Sequence, residues 1–222
     1  MTFRALGMIT SLMLTACAGT TVMPKEPGAT YEITVVRSWS EATHPLAWPG
    51  VTAHFTGGIG AAHNSVYAMF IAGGVATPGL EMMSQKGVST PFDSELAAAQ
   101  ARGNVGSIFT TGAVWTVCGT TSAQVRATDA FSQVSLAMMC APSPDWFTGV
   151  ASLQLKRNGQ WIESETVTLY AWDSGTNNAT TYKADKIAVN PFAPITLNGA
   201  PMFMKDGQRI AVGTATLRRI GG

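Results

Sequence analysis

Charge is sparse in this chain of 222 residues: Asp, Glu, Lys and Arg together make up 12%. The 14 basic and 13 acidic side chains nearly cancel, leaving a net charge of +1. No basic stripe is present to grip a phosphate backbone, which excludes nucleic acid as a partner. Long apolar runs are missing too. The N-terminal one, Ala5 to Leu14, is shorter than the ~20 residues a membrane-spanning helix needs. Common catalytic signatures are absent: there is no G-x-S-x-G, no H-E-x-x-H and no phosphate-cradling glycine loop. His44, His54 and His63 lie in one stretch, but none stands in H-x-H or H-x₃-H spacing with another. They read as structural histidines bonding loop backbone rather than as a zinc site. Cysteine is limited to three residues, Cys17, Cys118 and Cys140.

What is present begins with a targeting pattern. Residues 1–16 read as a signal peptide: Arg4 is a positive start and Ala5 to Leu14 an apolar core. Leu14-Thr15-Ala16-Cys17 then looks like a bacterial lipobox, with Cys17 taking lipid on its sulfur. Ala18 follows it, with no aspartate there to hold the protein at the inner membrane. Residues 17–30 are small, polar and Pro-containing, a tether of about 40 Å at roughly 3.3 Å per residue. The expectation is a lipid-anchored protein of the bacterial cell envelope, at the outer membrane. In that oxidising compartment Cys118 and Cys140 form an even pair, and a disulfide would tie two strands together. The alternative is two buried thiols acting as small hydrophobes.

Residues 31–222 read as one domain, rich in glycine (23 residues) and in short strands. Tyr31 to Trp39 alternates apolar and polar residues, a strand by period. Further strands are expected over Ser65–Ile71, Ser107–Cys118, Ala123–Thr128, Phe131–Met139, Thr148–Leu155, Glu165–Ala171 and Gln208–Ile220. Asn158-Gly159 is a strong turn signal between two of them. Asp93 to Arg102 predicts a helix capped by Asp93, and Pro78 to Gly87 a short helical turn. Lys183 to Met204 reads as a long covering loop. The fold class is all-β: a two-sheet antiparallel β-sandwich with one or two short helices.

One stretch concentrates chemistry. Asp145 and Asp173 sit in Pro/Gly-bearing turns, each beside a tryptophan (Trp146, Trp172), at the outer ends of an apparent strand pair. Converging carboxylates repel unless a proton or cation sits between them, and hard oxygen ligands on loops favour Ca²⁺. Two other readings stand beside this one. The aspartates would accept backbone N–H bonds as turn caps, or they would act as the acid–base pair of a glycoside hydrolase. The methionines, Met138, Met139, Met202 and Met204, fill the core or line a soft binding surface.

The same stretch, S-P-D-W-F-T-G-V from Ser143 and W-D-S-G-T-N from Trp172, resembles the spondin domain of F-spondin and mindin. W-S-E-A-T-H-P from Trp39, Trp48-Pro49 and G-A-A-H-N from Gly60 extend the resemblance in order across nearly the whole domain. It implies one Ca²⁺ held by Asp145, Asp173 and a third residue, which is an aspartate in the family and Asn177 here. The exchange removes one formal charge from the site. It also implies adhesion or matrix binding, with an envelope component, a glycan or a matrix component as ligand; the missing catalytic motifs, not the resemblance, argue against an enzyme. The rival is a structural or assembly lipoprotein with a degenerate metal site.

Overall fold

The computed structural model describes residues 27–182 and 187–222. The signal peptide, Cys17 and most of the expected tether lie outside the described residues, as do residues 183–186 of the covering loop. In chain order the described elements begin with β1 (Gly28–Arg37), β2 (His54–Phe55), β3 (Ile59–His63), α1 (Pro78–Lys86) and α2 (Phe92–Ala101). There follow β4 (Val105–Thr110), β5 (Thr120–Thr128), β6 (Gln133–Ala141), β7 (Trp146–Gln154), β8 (Lys156–Arg157) and β9 (Gln160–Trp161). The C-terminal part holds β10 (Ser164–Leu169), β11 (Trp172–Asp173), β12 (Thr196–Leu197), β13 (Met204–Lys205), β14 (Gln208–Arg209) and β15 (Gly213–Gly221). The expected class is correct.

Two antiparallel sheets form the body. One has the order β10-β15-β1-β5 and the other β12-β11-β7-β6-β3-β4, with β2 attached to β6. β1 is central in its sheet and reads half-buried, buried, half-buried along its whole length, as a strand with one core face must. It starts at Gly28, so residues 28–30 belong to the sheet rather than to the tether. β6 is different, with every residue after Gln133 buried. Both of its faces are covered. Val134, Leu136, Met138 and Cys140 enter the core between the sheets, while Ala137, Met139 and Ala141 pack under the helical layer with Leu80, Met83 and Phe92.

Several local expectations change. Ser65–Ile71 is not a strand; its apolar residues Met69 and Phe70 pack against the outer face of the larger sheet from turns. Its place in the sheet is taken by β3, whose five residues are all buried. Asn158 (φ 51°) and Gly159 (φ 77°) do make a tight turn, but it closes only the two-residue ladder β8–β9. The strands on either side part company: β7 pairs with β6 and β10 with β15, in different sheets. The turn is therefore the corner of the sandwich. Both helices form. Thr77 caps α1 by accepting the Leu80 N–H at 3.2 Å, with Pro78 at the first helical position and Gly87 in the left-handed conformation at the end. In α2 Asp93 lies inside the first turn instead of capping it, and bonds to Thr90 and Ser94.

Cys118 and Cys140 are free thiols, so the expected disulfide is not formed. Cys118 is exposed in a turn at φ 60°, its N–H bonded to the Arg37 carbonyl. Cys140 points into the inter-sheet core, where burial pushes its thiol pKa far up and leaves it a small hydrophobe.

Candidate metal centre

The site begins at the turn between β6 and β7. Ser143 folds it over, accepting the Trp146 N–H at 3.1 Å, and Trp146 plants its ring in the core. Asp145 is carried into the interior with it and is fully buried. β11 then pairs with the first residues of β7, Asp173 opposite Trp146 and Trp172 opposite Phe147. That register, rather than a β7–β10 hairpin, is what sets Asp173 beside Asp145.

The loop after β11 wraps around the Asp145 carboxylate. Its Oδ2 accepts the backbone N–H groups of Thr176 (2.8 Å) and Asn177 (2.9 Å) and the hydroxyls of Ser174 (3.1 Å) and Thr176 (3.1 Å). Gly175 makes the turn possible at φ +73°, where a side chain would also collide with the Ala193 carbonyl. Its N–H bonds Asp173 Oδ1 at 2.8 Å. Helix α1 braces the loop: Ser84 Oγ lies 2.9 Å from Ser174 Oγ, and Gln85 donates to Thr176 Oγ1 at 2.9 Å. Sequence reasoning missed Ser84, Gln85, Ser174 and Thr176. The last two lie inside the W-D-S-G-T-N motif, and their hydroxyls were the available signal.

The other oxygen, Asp145 Oδ1, is buried with no hydrogen-bond partner, and so is the indole Nε1 of Trp146. Asp173 lines a cavity of about 260 Å³ together with Trp146 and Asn198, whose Nδ2 is likewise buried and unpartnered. Among the described residues four ion pairs occur, and none involves either aspartate. Burial raises the Asp145 pKa against the pull of the Thr176 and Asn177 N–H groups. Asp173 is pushed up to about 6, first by burial and then by the charge of Asp145. Among the described residues, two carboxylates held this way lack a compensating positive charge.

The donor chemistry suits a hard cation: Asp145 Oδ1 and the Asp173 carboxylate are oxygens with nothing else to bind them fully. Asn177 stands differently. Its Oδ1 accepts the N–H groups of Ala179 (3.0 Å) and Ile187 (3.3 Å), so the amide oxygen holds its own loop in shape. Among the described residues no cluster of three or more His, Cys, Asp or Glu side chains could hold a metal. A cation here would rest on two carboxylates and fill its shell with backbone carbonyls and water.

The histidines are structural. His44 is buried against Phe203, with Nδ1 2.8 Å from Thr43 Oγ1 and a pKa lowered by burial to about 4. His54 Nδ1 lies 2.8 Å from the Thr52 carbonyl. His63 Nε2 lies 2.8 Å from Ser135 Oγ, a pairing that suggests a nucleophile, but both side chains are sealed from solvent. Asp145 is equally inaccessible, and its loaded Oδ2 leaves it poorly placed to protonate a leaving group.

Fold and site together define an antiparallel β-sandwich domain with a buried carboxylate, Asp145, beside a half-buried one, Asp173, at one end. The chain belongs to the spondin N-terminal domain family, whose model, described as Spondin_N, matches residues 29–202. Spondin-2 of Rattus norvegicus is 31% identical over 194 residues, covering 86% of this chain and 59% of that protein. Spondin-2 of Homo sapiens is 33% identical over 171 residues, 76% of this chain and 52% of that one. Spondin-1 of Gallus gallus is 26% identical over 206 residues, 86% and 25% respectively. The chain thus spans between 25% and 59% of the length of these relatives.

The raised Asp173 pKa has a sign that can be checked. Between the ordinary value of 3.8 and about 6 the unfolded chain has released a proton that the fold retains. Without cation, stability therefore falls as pH rises through this window and is level above it. The difference in melting temperature between wild type and Asp173→Asn, in chelator, should move in favour of Asp173→Asn from pH 4 to pH 6. A difference independent of pH contradicts the assignment.

Proposed function

We propose that this spondin-type domain binds one Ca²⁺ through Asp145 and Asp173 and works as a surface-binding or adhesion module outside the cytoplasm. The observation that carries the metal reading is the buried, unpartnered Asp145 Oδ1 beside a second carboxylate with a raised pKa. A cation is the group that would satisfy both. It would neutralise the repulsion and lock the β6–β7 turn to the loop after β11. Asn177 would shape that loop from behind, contributing no charge, so affinity would sit at the weak end of the range for such sites. The relatives' family supports adhesion, with a glycan, a matrix component or an envelope protein as ligand.

The second reading, a structural or assembly lipoprotein whose metal site is degenerate, is favoured by one observation. The Asn177 amide oxygen is already occupied by the N–H groups of Ala179 and Ile187. Both readings share a lipid anchor on Cys17 in a bacterial envelope, at the outer membrane.

Thermal unfolding of the protein with Ca²⁺ or chelator separates the two. At a hundredfold excess over Kd, a ligand specific to the folded state stabilises it by about 2.7 kcal/mol. Ca²⁺ should raise Tm in wild type, and Asp173→Ala should abolish the rise. No response at millimolar Ca²⁺ gives the structural reading precedence. The anchor is tested by fractionation: Cys17→Ser should move the protein from the membrane fraction to the soluble one, and retention in the membrane refutes lipidation there.

A further inference from the structure

β1 turns Ala29, Tyr31, Ile33 and Val35 inward at alternate positions, and the next inward residue is Arg37, only 2% exposed. A cation thus occupies a place where the strand pattern calls for an apolar side chain. Its Nε donates to the Thr116 carbonyl (3.1 Å), Nη1 to that of Ala53 (2.5 Å) and Nη2 to that of Trp115 (2.9 Å). A guanidinium carries five N–H groups, so two remain after these three bonds. Among the described residues no carboxylate lies within ion-pair distance of it. Carbonyl dipoles alone compensate this buried charge, an arrangement that an anion would complete.

Arg37 lines a groove of about 720 Å³, the size of small-molecule sites. Trp48 and Trp115 also line it. Trp48 is held edge-on by Trp39, with ring centroids 5.4 Å apart at 81°. Trp115 is 60% exposed, yet it lies flat on the His54 imidazole, with centroids 3.7 Å apart at 13°. The indole is therefore pinned without being covered, which lowers the entropy cost of binding to it. Val51, 99% exposed, adds apolar surface, and the exposed Glu41 offers acceptor oxygens with no ion-pair partner among the described residues.

We propose that this groove binds a hexuronate residue of an acidic glycan. The carboxylate would take the free Arg37 N–H donors, the C–H face of the ring would lie on Trp115, and the hydroxyls would donate to Glu41. A carboxylate and hydroxyls on one flat ring answer the cation, the acceptor and the aromatic plane together. A neutral sugar leaves Arg37 uncompensated, and a purely apolar ligand leaves both charges unmet. The groove shares no residue with the cavity beside Asp173, so the inference goes beyond the calcium reading and does not rest on it.

The test is isothermal titration of the full-length protein, in chelator, with tetrasaccharides of galacturonate and of mannuronate, each against its methyl ester. The ester keeps the ring and loses the charge. At least one acid should bind, with its ester about tenfold weaker or worse, as expected when a charge-assisted contact is lost. Trp115→Ala should abolish binding, Val51→Asp should weaken the acid by repulsion, and Arg37→Gln should bring acid and ester level. Should Arg37→Gln fail to fold, the two surface variants carry the test. Equal affinity for acid and ester, indifference to Trp115→Ala, or no binding of either acid at about 10 mM overturns the proposal. Because the titration is run in chelator, hexuronate binding is read without any metal, so failure of the metal site and failure of the groove are read separately.

Discussion

Asp145 is the side chain on which one end of this molecule is built. It is wholly buried, and one of its oxygens collects four donors from three residues of one short loop: the hydroxyls of Ser174 and Thr176 and the N–H groups of Thr176 and Asn177. A carboxylate in the interior is costly unless its lone pairs are used, and here the use of one oxygen dictates the path of the loop after β11. Through Ser84 and Gln85 the same loop fixes helix α1 against the larger sheet. The second oxygen has no protein partner. That asymmetry, one oxygen saturated and the other bare beside Asp173, is the physical ground for placing a cation there.

A chain of aromatic rings supports both sites. Trp48 packs on Trp39 (5.4 Å), Trp39 on Tyr182 (5.8 Å) and Tyr182 on Trp146 (5.2 Å), while Phe203 touches the last three. Edge-to-face contacts of this kind add to the burial of large rings and fix their orientation. The carboxylate turn at Trp146 and the groove wall at Trp48 thus stand on one packed unit. Trp39, with its ring parallel to Phe55 at 12°, joins that unit to the core between the sheets.

Much of this was legible in the chain. Alternation over Tyr31–Val35 and the turn residues between strands specified a sandwich, and the two Asp-Trp turns pointed to one spot. The reasons for the failures are physical. Ser65–Ile71 is apolar enough for a strand, but periodicity cannot tell a strand from a turn that buries Met69 and Phe70. Asn158-Gly159 encoded a tight turn, while the assignment of β7 and β10 to different sheets depends on pairings with β6 and β15, far away in sequence. The cysteine count suggested a bond, yet both thiols are free, Cys118 exposed and Cys140 buried. Asn177 had the right chemistry for a ligand, yet its oxygen was claimed by Ala179 and by Ile187, ten residues on. Arg37 stands where the alternation of β1 calls for an apolar residue, but only the assembled groove reveals that no carboxylate pairs with it among the described residues.

The measurement that bears most directly on the bare carboxylate oxygen is a crystal structure of the calcium-soaked protein with anomalous scattering at the site. An ion bound at about 2.3–2.6 Å from Asp145 Oδ1 and from an Asp173 oxygen, with six to eight oxygens in all, is the predicted result. A water or a protonated carboxyl at Asp145 Oδ1, with no anomalous signal beside Asp173, would contradict the account.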